Sequence, residues 1–187
     1  MSYSCKQAGP AVLFGFVMFG SVSTAIAAPI DVTVPGTTMP WNFSDELNQN
    51  RPFGLNDGTA PVVITLQQLG ASPGQRIAIA YVSGSVCPGG TYPCGDANGD
   101  QGFKTNHHRG NSGEYFPSRY MKTPTYLCEL VGAFTDANGE IVGRPFAVGD
   151  GPTQEKIPAG ANQVQLGVND DILSDNSGSW DVQVSTP

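Results

Sequence analysis

The chain has 187 residues, 9 Lys/Arg against 16 Asp/Glu and a formal net charge of -7. That balance argues against nucleic acid or an anionic membrane as partner, since both need a basic surface. Charged residues make up only 13%, while 24 Gly and 15 Pro interrupt the sequence. Such a profile predicts short strands joined by many turns rather than long helices.

The first segment reads as a leader. Lys6 is followed by the apolar run AVLFGFVMFG and then by small residues ending STAIAA. A basic start, a short apolar core and Ala25-Ile26-Ala27 are the signature of a secretory signal peptide, here assigned to residues 1–27. The run is too short and too Gly-interrupted to span a membrane comfortably. Cys5 precedes the apolar core and leaves with the leader. The expectation is a secreted or periplasmic protein whose residues 28–187 form a single domain.

Strand-like runs follow at IDVTV, APVVITLQQL, RIAIAYVSG, TYLCELVGAF, EIVGRPFAVG, NQVQLGVN and SWDVQVS. Several alternate apolar and polar residues, as in Val164/Leu166/Val168 and Trp180/Val182/Val184. Turn signals such as SPGQ, DANGE and IPAGAN separate them. Helical periodicity is confined to SDELNQN, too short to organise a fold. The predicted class is therefore all-β, a β-sandwich of the jelly-roll kind. Two long connections break the rhythm, one around MPWNFSDELNQNRPFGLNDG and one from Ser85 to Pro124; loops of that length in a compact domain are functional or disordered.

Cys87 and Cys94 bracket CPGGTYPC, and in an oxidising compartment they are expected to form a local disulfide. Cys128, within a strand-like run, reads as a small buried hydrophobe.

Two stretches are rich in oxygen donors. In NDDILSDNSGSW, Asp170, Asp171, Asp175 and Asn176 could converge on a calcium ion, with a backbone carbonyl from Ser174. The plainer alternative is an acidic surface loop with an Asp-Asn turn. In GDANGDQGF, Asp96, Asn98 and Asp100 match the first positions of an EF-hand loop. Gln101 and His107 then stand where that motif needs Gly and Glu, so the match fails. Asp96 with Asp100 could also serve as a carboxylate pair for glycoside cleavage, though no other feature supports it. His107/His108 could bind a metal or act as acid and base, though paired histidines in a polar loop are more often simply exposed. Trp41, Tyr92, Tyr115 and Phe116 are loop aromatics that suit either a sugar face or packing.

Together these two stretches resemble the PA-I-type (LecA-type) galactophilic lectins. VQLGVNDDILSDNSGSWDVQV is similar to that family's C-terminal strand–loop–strand with its ND…NNSGSF pattern, and VCPGGTYPCGDANGDQGF to its sugar loop ending in DQG. The resemblance implies a small jelly-roll sandwich that binds galactosides through a bridging Ca2+. It assigns the metal side chains to Asp170, Asp175 and Asn176, and the two main-chain carbonyls to Ser174 and Val86. It puts Tyr92 in place of a tryptophan, and Asp100 and Gln101 in the sugar pocket. Asn98-Gly99 stand where the family has a histidine, and Asp171 is a candidate for the pocket wall. Residues 103–124 and the N-terminal extension have no counterpart in the family. Related lectins oligomerise for avidity, so a homo-oligomer is also implied. The expected function is calcium-dependent binding of a galactoside or other glycan, without catalysis. The alternatives are a glycan hydrolase using Asp96/Asp100, or an exported structural protein with a purely structural calcium.

Overall fold

A computed structural model describes residues 1–2, 27–43, 46–90 and 92–187. The leader reading of residues 1–27 thus lies, but for its ends, outside the described residues. Ten strands run in chain order: β1 (Ile30–Pro35), β2 (Val62–Thr65), β3 (Arg76–Cys87), β4 (Asp100–Lys104), β5 (Tyr126–Leu127), β6 (Leu130–Thr135), β7 (Phe146–Ala147), β8 (Thr153–Lys156), β9 (Gln163–Val168) and β10 (Ser177–Ser185). The single helical element among the described residues is a 3-10 turn, Pro117–Tyr120. Where SDELNQN suggested a helix, residues 46–50 form turns. No described helix is long and apolar enough to cross a membrane.

Two antiparallel four-stranded sheets, β1-β10-β3-β8 and β2-β9-β6-β7, make the all-β sandwich, with β4-β5 as a small third sheet. Alternation along β10 buries Trp180, Val182 and Val184 and leaves Asp181 exposed. Val34, Ile77 and Ile79 from the same sheet join one core with Ile64, Val164, Leu166, Val168, Leu130 and Phe134 from the other. Burial of this size, at about 25 cal/mol per Å2 of apolar surface, is the main force holding the sheets together.

The central strands of the second sheet are buried on both faces: all six residues of β6 are buried, and so are Val164–Val168 of β9. The N-terminal connection supplies the second cover. A Cβ on Gly167 would meet the Met39 main chain at 2.4 Å, and Val168 donates to the Thr38 carbonyl at 2.9 Å. Trp41 is fully buried; its indole N–H donates to the Arg51 carbonyl, and its ring meets Phe53 edge-on at 5.1 Å. Asn48 closes the cover against the β6–β7 connection, donating to Gly139 and accepting from the Ile141 N–H.

Three runs fall well short of their predicted extents. APVVITLQQL is strand only over Val62–Thr65, because the Gln68 side chain accepts from the Thr65 N–H and hydroxyl and turns the chain. TYLCELVGAF is cut in two at Cys128, which has φ +52. EIVGRPFAVG keeps only the two-residue β7 and a bridge at Ile141. β4 and the edge strand β8 were not foreseen, since neither DQGFK nor TQEK offers an apolar alternation.

Candidate functional site

At one end of the sandwich three segments enclose a cleft of about 100 Å3, room for several waters. The loop between β9 and β10 contributes Asp170, Asp171, Ile172 and Asp175; the disulfide loop contributes Pro88, Gly89 and Tyr92; β4 contributes Phe103, and the β4–β5 connection Arg109, Gly110, Asn111 and Phe116.

Each segment is held by identifiable bonds. The Cys87–Cys94 disulfide is formed, and beneath it Val86 and Gly95 exchange both main-chain hydrogen bonds at 3.0 and 2.9 Å. At the tip Gly89 lies against Asp175 so closely that a Cβ would come within 1.9 Å of its carboxylate. Asn169, fully buried, accepts from the Ser118 N–H and donates to the Thr105 hydroxyl and the Tyr126 carbonyl, which ties the β4–β5 connection to the acidic loop. Asp171 adds a second tie: its carboxylate accepts from the Ser112 N–H at 2.7 Å and rests on Gly110. Asp57, from the N-terminal connection, fixes the middle of the loop by accepting from the Leu173 N–H at 3.0 Å and the Ser174 hydroxyl at 2.6 Å.

The electrostatics are those of crowded acids. Burial pushes the Asp170 carboxyl up to about 6, against hydrogen bonds from Cys128, Asn176 and the Asp171 N–H that favour its ionised form. The Cys128 thiol donates to Asp170 at 3.2 Å; burial and that charge push the thiol far up, so it stays protonated. Partial burial, then the charges of Asp57 and Asp171, push Asp175 up as well. Beside Asp170 stands Asn176, whose amide nitrogen donates to Gly36 at 3.0 Å and whose buried Oδ1 has no donor. A buried carbonyl without a partner costs about 1–3 kcal/mol.

The predicted site residues divide. Asp170, Asp171, Asp175 and Tyr92 line this cleft, and Asn176 lies buried behind it. Ser174 is exposed and hydrogen-bonded to Asp57. Val86 is buried in β3 with its carbonyl already accepting from Gly95. Asp100 and Gln101 lie in a separate shallow depression with Pro93–Asp96 and Gly99. Asp100 spends Oδ1 on the Gly102 N–H because β4 begins there, paired with Leu127. Asn98 turns the other way, its Oδ1 accepting from the Asp150 N–H at 3.2 Å. Asp96 caps the Asn98 N–H in a local turn, and both histidines are exposed. The disulfide loop and the acidic loop meet through Pro88, Gly89 and Tyr92 rather than through residues 98–101.

Sequence reading missed Asp57, Asn169 and the β4–β5 wall. Asp57 sits in LNDG, which signals only a turn, and its partners are 116 and 117 residues away. Among the described residues no three His, Cys, Asp or Glu side chains gather closely enough to hold a metal by themselves. Any cation here would need the amide and main-chain oxygens as well. No protein-family model, curated protein or solved structure matches the chain.

Proposed function

We propose that this protein is an exported calcium-dependent carbohydrate-binding protein of jelly-roll type, with its ligand in the cleft between the disulfide loop and the β9–β10 loop. The observation that carries this reading is the buried Asn176 Oδ1, an acceptor without a donor next to a carboxylate that is itself costly to bury. The Asn176 Oδ1 with the carboxylate oxygens of Asp170 and Asp175 forms the kind of donor set a hard divalent cation accepts, although both Asp170 oxygens also accept hydrogen bonds from Cys128 and the Asp171 N–H. Ca2+, when bound, would supply open coordination positions that compete with water for vicinal sugar hydroxyls. Asp170, Asp175 and Asn176 would hold it, with main-chain carbonyls of the same loop. Tyr92, 39% exposed, offers an aromatic face for the apolar C–H patch of a sugar ring, and Phe103 adds apolar surface to the opposite wall. Asp57 spends both carboxylate oxygens on the acidic loop, while Asp171, its Oδ2 holding the Ser112 N–H, forms part of the cleft wall.

The test is titration of the chelator-stripped protein with Ca2+, followed by galactosides with and without Ca2+, by calorimetry. Ca2+ is expected to bind and to raise the melting temperature, by about 4 kcal/mol of stability at a thousandfold excess over Kd. Sugar heats are expected only in its presence. Asp175→Ala, at an exposed position, should keep the fold and weaken Ca2+ at least tenfold; Asp170→Ala should abolish both bindings. Absence of Ca2+ binding at millimolar concentration, or unchanged affinity in both variants, overturns the site.

A further inference from the structure

The charges of this chain are unevenly placed. Residues 103–124 carry Lys104, Arg109, Arg119 and Lys122 against Glu114 alone, a local charge of +3 in a chain of -7. All four basic side chains are exposed. Two of them share one aromatic platform: the Arg109 and Arg119 guanidinium carbons lie 4.4 and 4.1 Å from the Tyr115 ring centre. Arg119 also lies 5.9 Å from the Tyr120 ring, and Arg51, on the N-terminal connection, is close enough to Tyr120 for its charge to be felt there. Stacking on an aromatic face holds a guanidinium in place while leaving its edge, with most of its N–H donors, free to bind.

Arg109 belongs to this patch and to the cleft at once, for it lines the same cavity as Asp170 and Asp175. One of its N–H groups donates to the Gly113 carbonyl, and Glu114 stands 3.8 Å away in an ion pair whose side chains are 55% and 57% exposed. An ion pair that open is weak and easily exchanged for a better-placed carboxylate. A guanidinium has five donors in a planar fork that fits two carboxylate oxygens, so capacity remains.

We infer that the ligand is an acidic glycan, a chain of uronic acid residues. One sugar would enter the cleft, and the carboxylates there and along the following residues would lie on Arg109 and Arg119. This deepens the carbohydrate reading and rests on it. A uniformly acidic surface would repel such a polymer. Here a concentration of positive charge stands at the lip of the proposed sugar site, on a connection fastened to it through Asp171 and Asn169. Nucleic acid and anionic lipid are disfavoured by the rest of the surface, which is acidic beyond this patch.

A galacturonic acid trisaccharide and the neutral galactose trisaccharide of the same linkage differ only at C6, so they isolate the carboxylate. In Ca2+ excess the acidic ligand is expected to bind on the order of tenfold tighter at low ionic strength, with the advantage shrinking towards parity at ~0.5 M salt. The Arg119→Gln protein, altered outside the cleft lining, should lose part of that preference and retain neutral-sugar binding, and the Arg109→Gln/Arg119→Gln protein should lose the preference altogether. Arg76→Gln, with half that charge change on the distant β3–β8 edge, should leave the preference intact. Equal affinities for the two trisaccharides overturn this inference and leave the lectin reading standing; failure of both to bind overturns the lectin reading too. Equal loss in Arg76→Gln, or binding of single-stranded DNA or phosphatidylserine vesicles as tight as that of the uronate, overturns the assignment to glycan carboxylates.

Discussion

Glu129 shows how much a single buried group can govern. It is 7% exposed at the start of the β5–β6 corner, and burial pushes its carboxyl up to about 7 although one oxygen accepts from the Tyr126 N–H at 2.8 Å. A carboxyl whose folded value exceeds its unfolded value of about 4.5 binds its proton more tightly in the native state. Its contribution is therefore fully present below pH ~4.5 and is lost as pH rises through about 7, a swing on the order of 3 kcal/mol. Glu129→Gln keeps an acceptor for the Tyr126 N–H without a charge. Urea unfolding in chelator should find the variant more stable than wild type at pH 8 by about that amount, and close to it at pH 4.5. Asp170 shifts in the same direction, so only the difference between the two proteins at each pH isolates Glu129. An identical difference at both pH values would sink the idea.

Among the elements, the disulfide loop has the clearest division of labour. Its neck is closed twice, once by Cys87–Cys94 and once by the Val86–Gly95 pair, with the Trp180 indole N–H donating to the Gly95 carbonyl at 3.3 Å. The tip carries Pro88, Gly89 and Tyr92 to the cleft. Replacing both cysteines with serine should cost at most about 2.5 kcal/mol, the loop-closure entropy of so short a ring. The neck and the sandwich should survive, while Tyr92 and Gly89 lose their fixed position beside Asp175. Ca2+ affinity, measured by calorimetry, should therefore fall in Cys87→Ser/Cys94→Ser by more than that loss of stability would suggest. Unchanged affinity would mean the tip is held by its neck alone. The β4–β5 connection is fastened differently, by the polar hub of Asn169 with Thr105, Asn106, Ser118 and Thr125, all buried. A long loop rich in polar residues is rigid here because its backbone groups find side-chain partners inside.

For the whole molecule, the N-terminal connection is structural and functional at once. It covers the outer face of β6 and β9, and its Asp57 holds the acidic loop. Gly167 is where cover and sheet come closest, with main chain rather than a movable side chain in the way. Gly167→Ala should therefore cost about 1–3 kcal/mol through overpacking. By lifting the cover it should also loosen Asp57 and weaken Ca2+ binding at a distance. Thermal unfolding and calorimetry of that one variant check both, and a destabilised protein with wild-type Ca2+ affinity would separate the cover from the site.

Much of this was written locally. The β9 and β10 runs are legible because apolar residues recur at every second position, although in β9 the N-terminal connection buries the other face as well. The Cys87–Cys94 pairing is legible because the two cysteines bracket six Pro/Gly-rich residues that favour a tight loop. The acidic cluster from Asp170 to Asn176 announces itself by composition. The sequence could not show that Asp100 and Gln101 would be drawn away into the β4 edge, since that depends on pairing with Leu127, 27 residues on. Nor could it show that Asp57, Asn169 and the basic β4–β5 connection surround the acidic loop. Local pattern is set by backbone geometry and by which face meets water, so the chain alone determined the strands with clear apolar alternation and the disulfide. Which loops share a cleft is set by long-range packing, where residues more than a hundred positions apart satisfy each other's hydrogen bonds, and only the tertiary structure decided that.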